Sequence, residues 1–174
     1  MVTTIAEMLI RFKAIEFGDF TLASGAKSTF YVDIKTAVTN PELLSAIARK
    51  VSHEYEFDVI AGVAVGGVPL AVATALASGK RYAIIRAAEK SHGKKEPIIG
   101  SVRGKNVLLI EDVTTSGGSS LYGIETLRAA GANADRVITV VDREQGARDT
   151  LRCHGIELIP LVNVSELQKK VSSF

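Results

Sequence analysis

The chain has 174 residues, 47% of them hydrophobic and 23% charged, which suits one domain with its own core and excludes intrinsic disorder. A net charge of +2, from 21 Lys and Arg against 19 Asp and Glu, is too small for a general nucleic-acid or membrane surface but leaves room for a small anionic ligand. Cys153 is the only cysteine, so no internal disulfide can form, a reducing compartment fits, and the thiol is expected to be a buried structural residue.

The N-terminus, MVTTIAEMLIRF, has an acid inside its apolar stretch and no cleavage-site pattern, so it does not read as a signal peptide. The longest apolar runs are about ten residues, short of the roughly 20 that cross a membrane, and a soluble, cytoplasmic chain is expected. Residues 4–17 predict a helix, with Ile5, Met8, Leu9, Phe12 and Ile15 at helical spacing, a Thr4–Glu7 capping box and Gly18 as its stop. Residues 20–38 predict two short strands around a turn at Ser24-Gly25. Asn40-Pro41 then opens a helix that runs to about Tyr55.

From there the pattern alternates. The apolar segments "DVIAGVAV", "RYAIIRA", "NVLLIEDV", "RVITVVDR" and "IELIPLV" predict strands. "GGVPLAVATALA", "SSLYGIETLRAAG" and "GARDTLRCHG" predict the intervening helices, and a short helix closes the chain. A polar stretch, 89–101, stands between the second and third of these strands. Apolar strands separated by helices indicate a parallel sheet covered on both faces. The fold class is therefore α/β: one domain, with residues 1–38 as an N-terminal helix-and-hairpin appendage on a 39–174 core.

In such sheets ligands bind beyond the carboxyl ends of the strands. Those exits carry Gly66-Gly67, a charged loop, Glu111-Asp112 with hydroxyls, and Asp142-Arg143. The run "TTSGGS", Thr114 to Ser119, precedes a helix whose free N–H groups and positive dipole end favour an anion. It is not a triphosphate loop. "GSVRGK" (100–105) is one residue short and precedes a strand, "GAKST" (25–29) lacks glycine before lysine, and no GxGxxG stands at a strand-to-helix turn. Carboxylates beside a phosphate site call for hydroxyls to accept from or a metal to ligate. A phosphorylated sugar offers the hydroxyls, with its phosphate on the loop and its ring oxygens at Glu111 and Asp112.

"VLLIEDVTTSGGSS" (107–120) resembles the phosphoribosyl-diphosphate signature of the type I phosphoribosyltransferases. That resemblance implies a parallel sheet flanked by helices, with the N-terminal helix and hairpin as a hood over the site. "FTLASGAKSTFYVDIK" (20–35), "IRAAEKSHG" (85–93) and "VVDREQGA" (140–147) are similar to the hood segment, catalytic loop and base-reading strand end of the orotate phosphoribosyltransferases. The resemblance implies phosphoribosyl diphosphate contacts at Glu111, Asp112, Val113, Thr114, Thr115, Ser116, Gly117, Gly118 and Ser119, with Arg86, Lys90 and His92 on the diphosphate. Lys90, His92 and Asp112 would serve catalysis, and Thr115, Arg143 and Lys27 would meet orotate. Independently of it, Arg143 leaves a buried strand at the binding edge, where a guanidinium can take a carboxylate bidentately; an ion pair with Asp142 or Glu144 is the bland alternative.

The implied reaction is transfer of the phosphoribosyl group from the diphosphate donor to orotate, giving orotidine 5′-monophosphate in pyrimidine (UMP) synthesis. Mg2+ would be held mainly by the substrate diphosphate, with no protein residue singled out as its ligand. The resemblance also implies a homodimer with the 87–100 loop acting across the interface. Ala23, Gly66 and Ala87 stand where lysines are common in the family. A purine or uracil phosphoribosyltransferase, a regulator that binds the donor without turnover, and a receiver domain are the competing readings. No helix-turn-helix segment or basic patch supports the regulator, and the acids come too late in the chain for a receiver domain.

Overall fold

The structure, a computed structural model, describes residues 3–21, 27–87 and 96–171. The first helix, α1 (Ile5–Arg11), has the expected box: Glu7 N–H donates to Thr4 Oγ1 at 3.2 Å and Thr4 N–H to the Glu7 carboxylate at 2.8 Å. It ends six residues earlier than its apolar spacing predicts. Lys13 turns the chain at φ 54°, and Ile15 begins a strand. The reason is that Ile15 and Phe17 also satisfy a period of two; pairing with a partner strand decides between the periods. Strand β1 (Ile15–Thr21) runs antiparallel to β2 (Lys27–Val32), with Ile15 opposite Val32 and a register shift between Phe17 and Phe20. Gly18, expected as a helix stop, lies at that irregularity.

The second expected strand stops at Val32. Asp33 accepts from the Thr36 N–H at 3.0 Å and its hydroxyl at 2.7 Å, capping a short helix, α2 (Ile34–Ala37). Those two bonds hold the Asp33 carboxyl below the usual carboxylate range. Helix α3 (Pro41–Glu54) starts where the sequence places it, with Asn40 accepting from the Glu42 N–H.

The remaining elements are β3 (Val59–Val63), α4 (Gly67–Ser78), β4 (Arg81–Ile85), β5 (Ile98–Ile99), β6 (Asn106–Thr114), α5 (Gly118–Ala129), β7 (Asn133–Asp142), α6 (Ala147–Arg152), β8 (Glu157–Asn163) and α7 (Val164–Val171). The main sheet has the order β5-β4-β3-β6-β7-β8, parallel except for β5, which pairs antiparallel with β4. That short edge strand was not legible in the polar stretch 89–101.

Period two divides the sheet's side chains between two cores. Ile60, Leu108, Ile110, Ile138 and Val140 join α1, α3, α4, α7 and the hood on one face. Val59, Ala61, Leu109 and Val137 join Ile124, Leu127 and Leu151 of α5 and α6 on the other. Leu108, Leu109 and Ile110 are fully buried, each contributing about 1.5–3 kcal/mol through removal from water. The central strand is thus anchored from both sides up to the two acids at its end. Cys153 departs from expectation: it is exposed, because it follows the last turn of α6 rather than lying on its buried face.

Candidate active site

The alternation that anchors β6 also separates its acids. Both are buried, Glu111 at 4% exposure and Asp112 at 6%, but they point to opposite faces. Glu111 follows Leu109 toward α5, where the Ser119 hydroxyl donates to its Oε1 at 2.8 Å. Asp112 follows Ile110 toward the hood, where the Lys35 ammonium lies 2.7 Å from its Oδ2. A Cβ on Gly66 would sit 2.3 Å from the same oxygen, so the bare glycine leaves the carboxylate its place. Burial, opposed by the Ser119 hydrogen bond, pushes the Glu111 carboxyl up to about 7; the Asp112 charge raises it further and the Lys35 charge lowers it.

Beyond the acids the chain turns into α5. Gly117 adopts φ 86° at the helix start, where a Cβ would lie 3.2 Å from Cα of Ala147. No side chain caps this 12-residue helix, so its opening N–H groups remain available to an anion. Thr115 and Ser116 are exposed on the loop, and the Thr115 carbonyl accepts from Ala147 N–H at 3.1 Å, tying the loop to α6. Thr114 is buried and donates its hydroxyl to Asp142 at 3.2 Å, which spends that group on the scaffold. Val113 is half-buried between the acids and the loop.

Arg143 follows β7 on the neighbouring strand, and its N–H donates to the Thr114 carbonyl at 2.9 Å. The bland ion-pair reading fails. Asp142 accepts instead from Thr114 and from the Glu144 N–H at 3.0 Å. The Glu144 carboxylate caps α7 through Ser165, 2.8 Å from its N–H and 3.1 Å from its hydroxyl. Among the described residues Nε and Nη2 of Arg143 are therefore buried without a hydrogen-bond partner, while the guanidinium carbon stands 4.9 Å from the centre of the Phe30 ring. Buried charged donors cost free energy until something accepts from them. The arrangement is a receptor for a planar anion, bounded by an aromatic ring from the hood.

Arg86, exposed just beyond β4, is held at the same sheet edge by Pro97, whose carbonyl accepts its N–H, and by Tyr122, which donates to its carbonyl. Lys27 is exposed at the end of the hairpin and donates to Thr21 at 2.8 Å; no described contact joins it to Arg143. Lys90 and His92 lie outside the described residues, as does Ala23. Lys35 and Phe30 were missed individually, although both sit in the hood segment. Their spacing carries no site signal; only the packing of the hood on the sheet brings them to Asp112 and Arg143.

Comparison with known proteins agrees with this geometry. Residues 36–157 match the family described as the phosphoribosyl transferase domain. A protein of Methanocorpusculum labreanum named orotate phosphoribosyltransferase is 64% identical over 167 residues, covering 96% of this chain and 99% of that one. The crystal structure of orotate phosphoribosyltransferase from Aeropyrum pernix superposes with a TM-score of 0.83 at 27% identity, over 98% of this chain and 99% of that one. The Mycobacterium tuberculosis orotate phosphoribosyltransferase in complex with 5-phospho-α-D-ribosyl 1-diphosphate gives 0.75 at 27% identity, over 94% and 96% of the two chains. An acid pair beside an uncapped helix start, a guanidinium held open, and likeness over nearly the whole length lead to one assignment: the chain belongs to the phosphoribosyl transferase family and, within it, to the orotate phosphoribosyltransferases.

Proposed function

We infer that this chain transfers the 5-phosphoribosyl group from phosphoribosyl diphosphate to orotate, releasing diphosphate and forming orotidine 5′-monophosphate for pyrimidine synthesis. The observation that carries the choice of base is Arg143, whose buried N–H donors lack an acceptor beside the phosphate-type loop. Orotate brings a carboxylate; adenine, hypoxanthine and uracil do not.

In this reading the donor's 5′-phosphate rests on the amides of residues 115–119 and the hydroxyls of Thr115, Ser116 and Ser119, and its ribose hydroxyls donate to Glu111 and Asp112. Ser119, which donates to Glu111, would turn to the phosphate as a ribose hydroxyl takes its place. Thr115 and Arg143 orient the base, Phe30 lies against the Arg143 guanidinium, and Lys27 reaches in from the hairpin as a second cation. Arg86, with Lys90 and His92 of the adjoining loop, meets the departing diphosphate, where negative charge grows and cations lower the barrier most. The buried carboxylates tolerate positive character on the ribose. Mg2+ would be held mainly by oxygens of the substrate diphosphate, as is usual for this ion with phosphate substrates. When bound, it neutralises charge on that leaving group.

The chain works as a homodimer in this account. Leu76 on α4 is 81% exposed, and together with Val72 and Tyr82 it lines an apolar groove beside β4, next to Ile99 at the sheet edge. We take a second copy to cover this face, with the 87–100 loop of one protomer acting at the site of the other as the family resemblance implies. Sedimentation should give twice the 18.5 kDa chain mass, and Leu76→Glu should shift it to the monomer; a monomeric parent contradicts the dimer. Among the described residues no helix is long and apolar enough to cross a membrane, and the free Cys153 suits the reducing cytoplasm.

A spectrophotometric assay with Mg2+ and the donor should consume orotate and leave adenine, hypoxanthine and uracil untouched. Turnover of one of those bases in preference to orotate would refute the assignment. Donor binding with no turnover of any base would point to a regulator instead.

A further inference from the structure

The most exposed partner of the acid pair is also the least explained. Lys35 stands on α2, a four-residue helix of the hood, with its side chain 63% exposed. Its ammonium nevertheless reaches 2.7 Å from Oδ2 of Asp112, whose side chain is 8% exposed. Among the described residues this is the one ion pair made by either acid of β6. An exposed lysine gives little folding stability through such a contact, because solvent screens it and the flexible stem loses freedom. The contact matters instead for what it does to Asp112. That carboxylate lies against the Cα of Gly66, with no side chain there to orient it, and among the described residues Lys35 is the one group placed within hydrogen-bond distance of Oδ2. Lys35 alone gives this oxygen a direction.

We propose that Lys35 is a positioning residue of the ribose site: its ammonium, delivered by the hood, holds the Asp112 carboxylate aimed at the donor's ring hydroxyls. The proposal rests on the reading that the acid pair meets the donor's ribose. It ties the hood to the sheet at the site itself, since a hood lifted from the sheet takes Lys35 with it and leaves Asp112 undirected.

The charges around the pair define the electrostatic consequence. Glu111 and Asp112 stand on β6, Asp33 and Lys35 belong to the hood, Asp142 ends the adjoining strand β7 and Arg143 follows it. On the α5 side Glu111 meets the neutral Ser119 hydroxyl. Lys35 is thus the cation whose field favours the ionised form of Glu111, and the pair in turn raises the Lys35 ammonium above its usual range.

Initial-rate kinetics on Lys35→Met and Lys35→Arg in the full-length enzyme test this. Lys35→Met should raise the donor KM by about fivefold or more and leave the orotate KM within about twofold. The acid limb of its kcat/KM for the donor should move to higher pH by about half a unit or more. Lys35→Arg should restore both readings, and the melting temperature of either variant should stay within about 3 °C of the parent. An unmoved acid limb with an unchanged donor KM overturns the proposal, as does an arginine variant no better than methionine. Asp112→Asn separates this failure from that of the underlying reading. A damaged Asp112→Asn beside a silent Lys35→Met overturns the role of Lys35 alone, whereas an Asp112→Asn that uses donor as well as the parent removes both.

Discussion

Arg143→Ala should raise the KM for orotate by about tenfold to a hundredfold while changing the donor KM by less than about threefold, measured by varying each substrate in turn. The magnitude follows from the loss of charged hydrogen bonds, about 1.5–3 kcal/mol. The selectivity follows from placement: Arg143 lies beyond β7, one strand away from the β6 exit that meets the donor. Its two acidic neighbours in sequence are bound to Thr114 and Ser165 and cannot answer for the guanidinium. Lysine should not rescue the loss, because an ammonium is a point charge without the planar fork that matches a carboxylate. Thermal unfolding gives a second reading. Buried donors without acceptors oppose folding, so alanine should leave the melting temperature unchanged or raise it. A large drop would mean that Arg143 holds the scaffold together rather than the base.

Glu111 should dominate the pH dependence of donor use. With its carboxyl pushed up to about 7, mainly by burial, kcat/KM for the donor should fall on the acid side of that value, as the protonated acid loses its pull on a ribose hydroxyl. The sign for stability runs the other way. The folded state holds the proton more tightly than the unfolded chain does, so this group's contribution is fully present below its ordinary value of 4.5 and is lost as pH rises through about 7. The loss is on the order of 3 kcal/mol. Glu111→Gln imitates the neutral acid. It should therefore melt several degrees above the parent at about pH 8, with the gap closing toward about pH 5. The same variant should lose about tenfold or more in kcat/KM for the donor, and the acid limb should disappear. A buried acid kept at a stability cost is what a binding site requires and what a structural residue does not.

Much of this was legible in the chain. The buried run before Glu111, the uncapped TTSGGS turn and Arg143 after a second apolar strand all declare themselves locally, because parallel strands buried on both faces leave little room for other polar groups. Apart from the short edge strand β5, the order of strands and helices from Val59 onward follows from the same composition. What remained hidden depends on contacts far apart in sequence. Ile15 and Phe17 fit both helical and strand periods, and only pairing with β2 makes them strand. Asp33 reads as an ordinary polar residue until it caps α2 and so presents Lys35. Phe30 looks like core, which it is at 9% exposure, and its second role needs the position of Arg143. Gly66, which in the sequence reads only as part of a glycine turn, acquires its meaning from the Asp112 carboxylate lying against it.

The central claim is that the turn after Val113 seats a sugar phosphate while the acids before it hold the sugar ring. Crystals soaked with phosphoribosyl diphosphate test it most directly. The account predicts phosphate oxygens on the amides of residues 115–119, and ribose hydroxyls within hydrogen-bond distance of Glu111 and Asp112. A donor bound elsewhere, or acids that keep their Ser119 and Lys35 partners beside an unfilled turn at saturating donor, would contradict it.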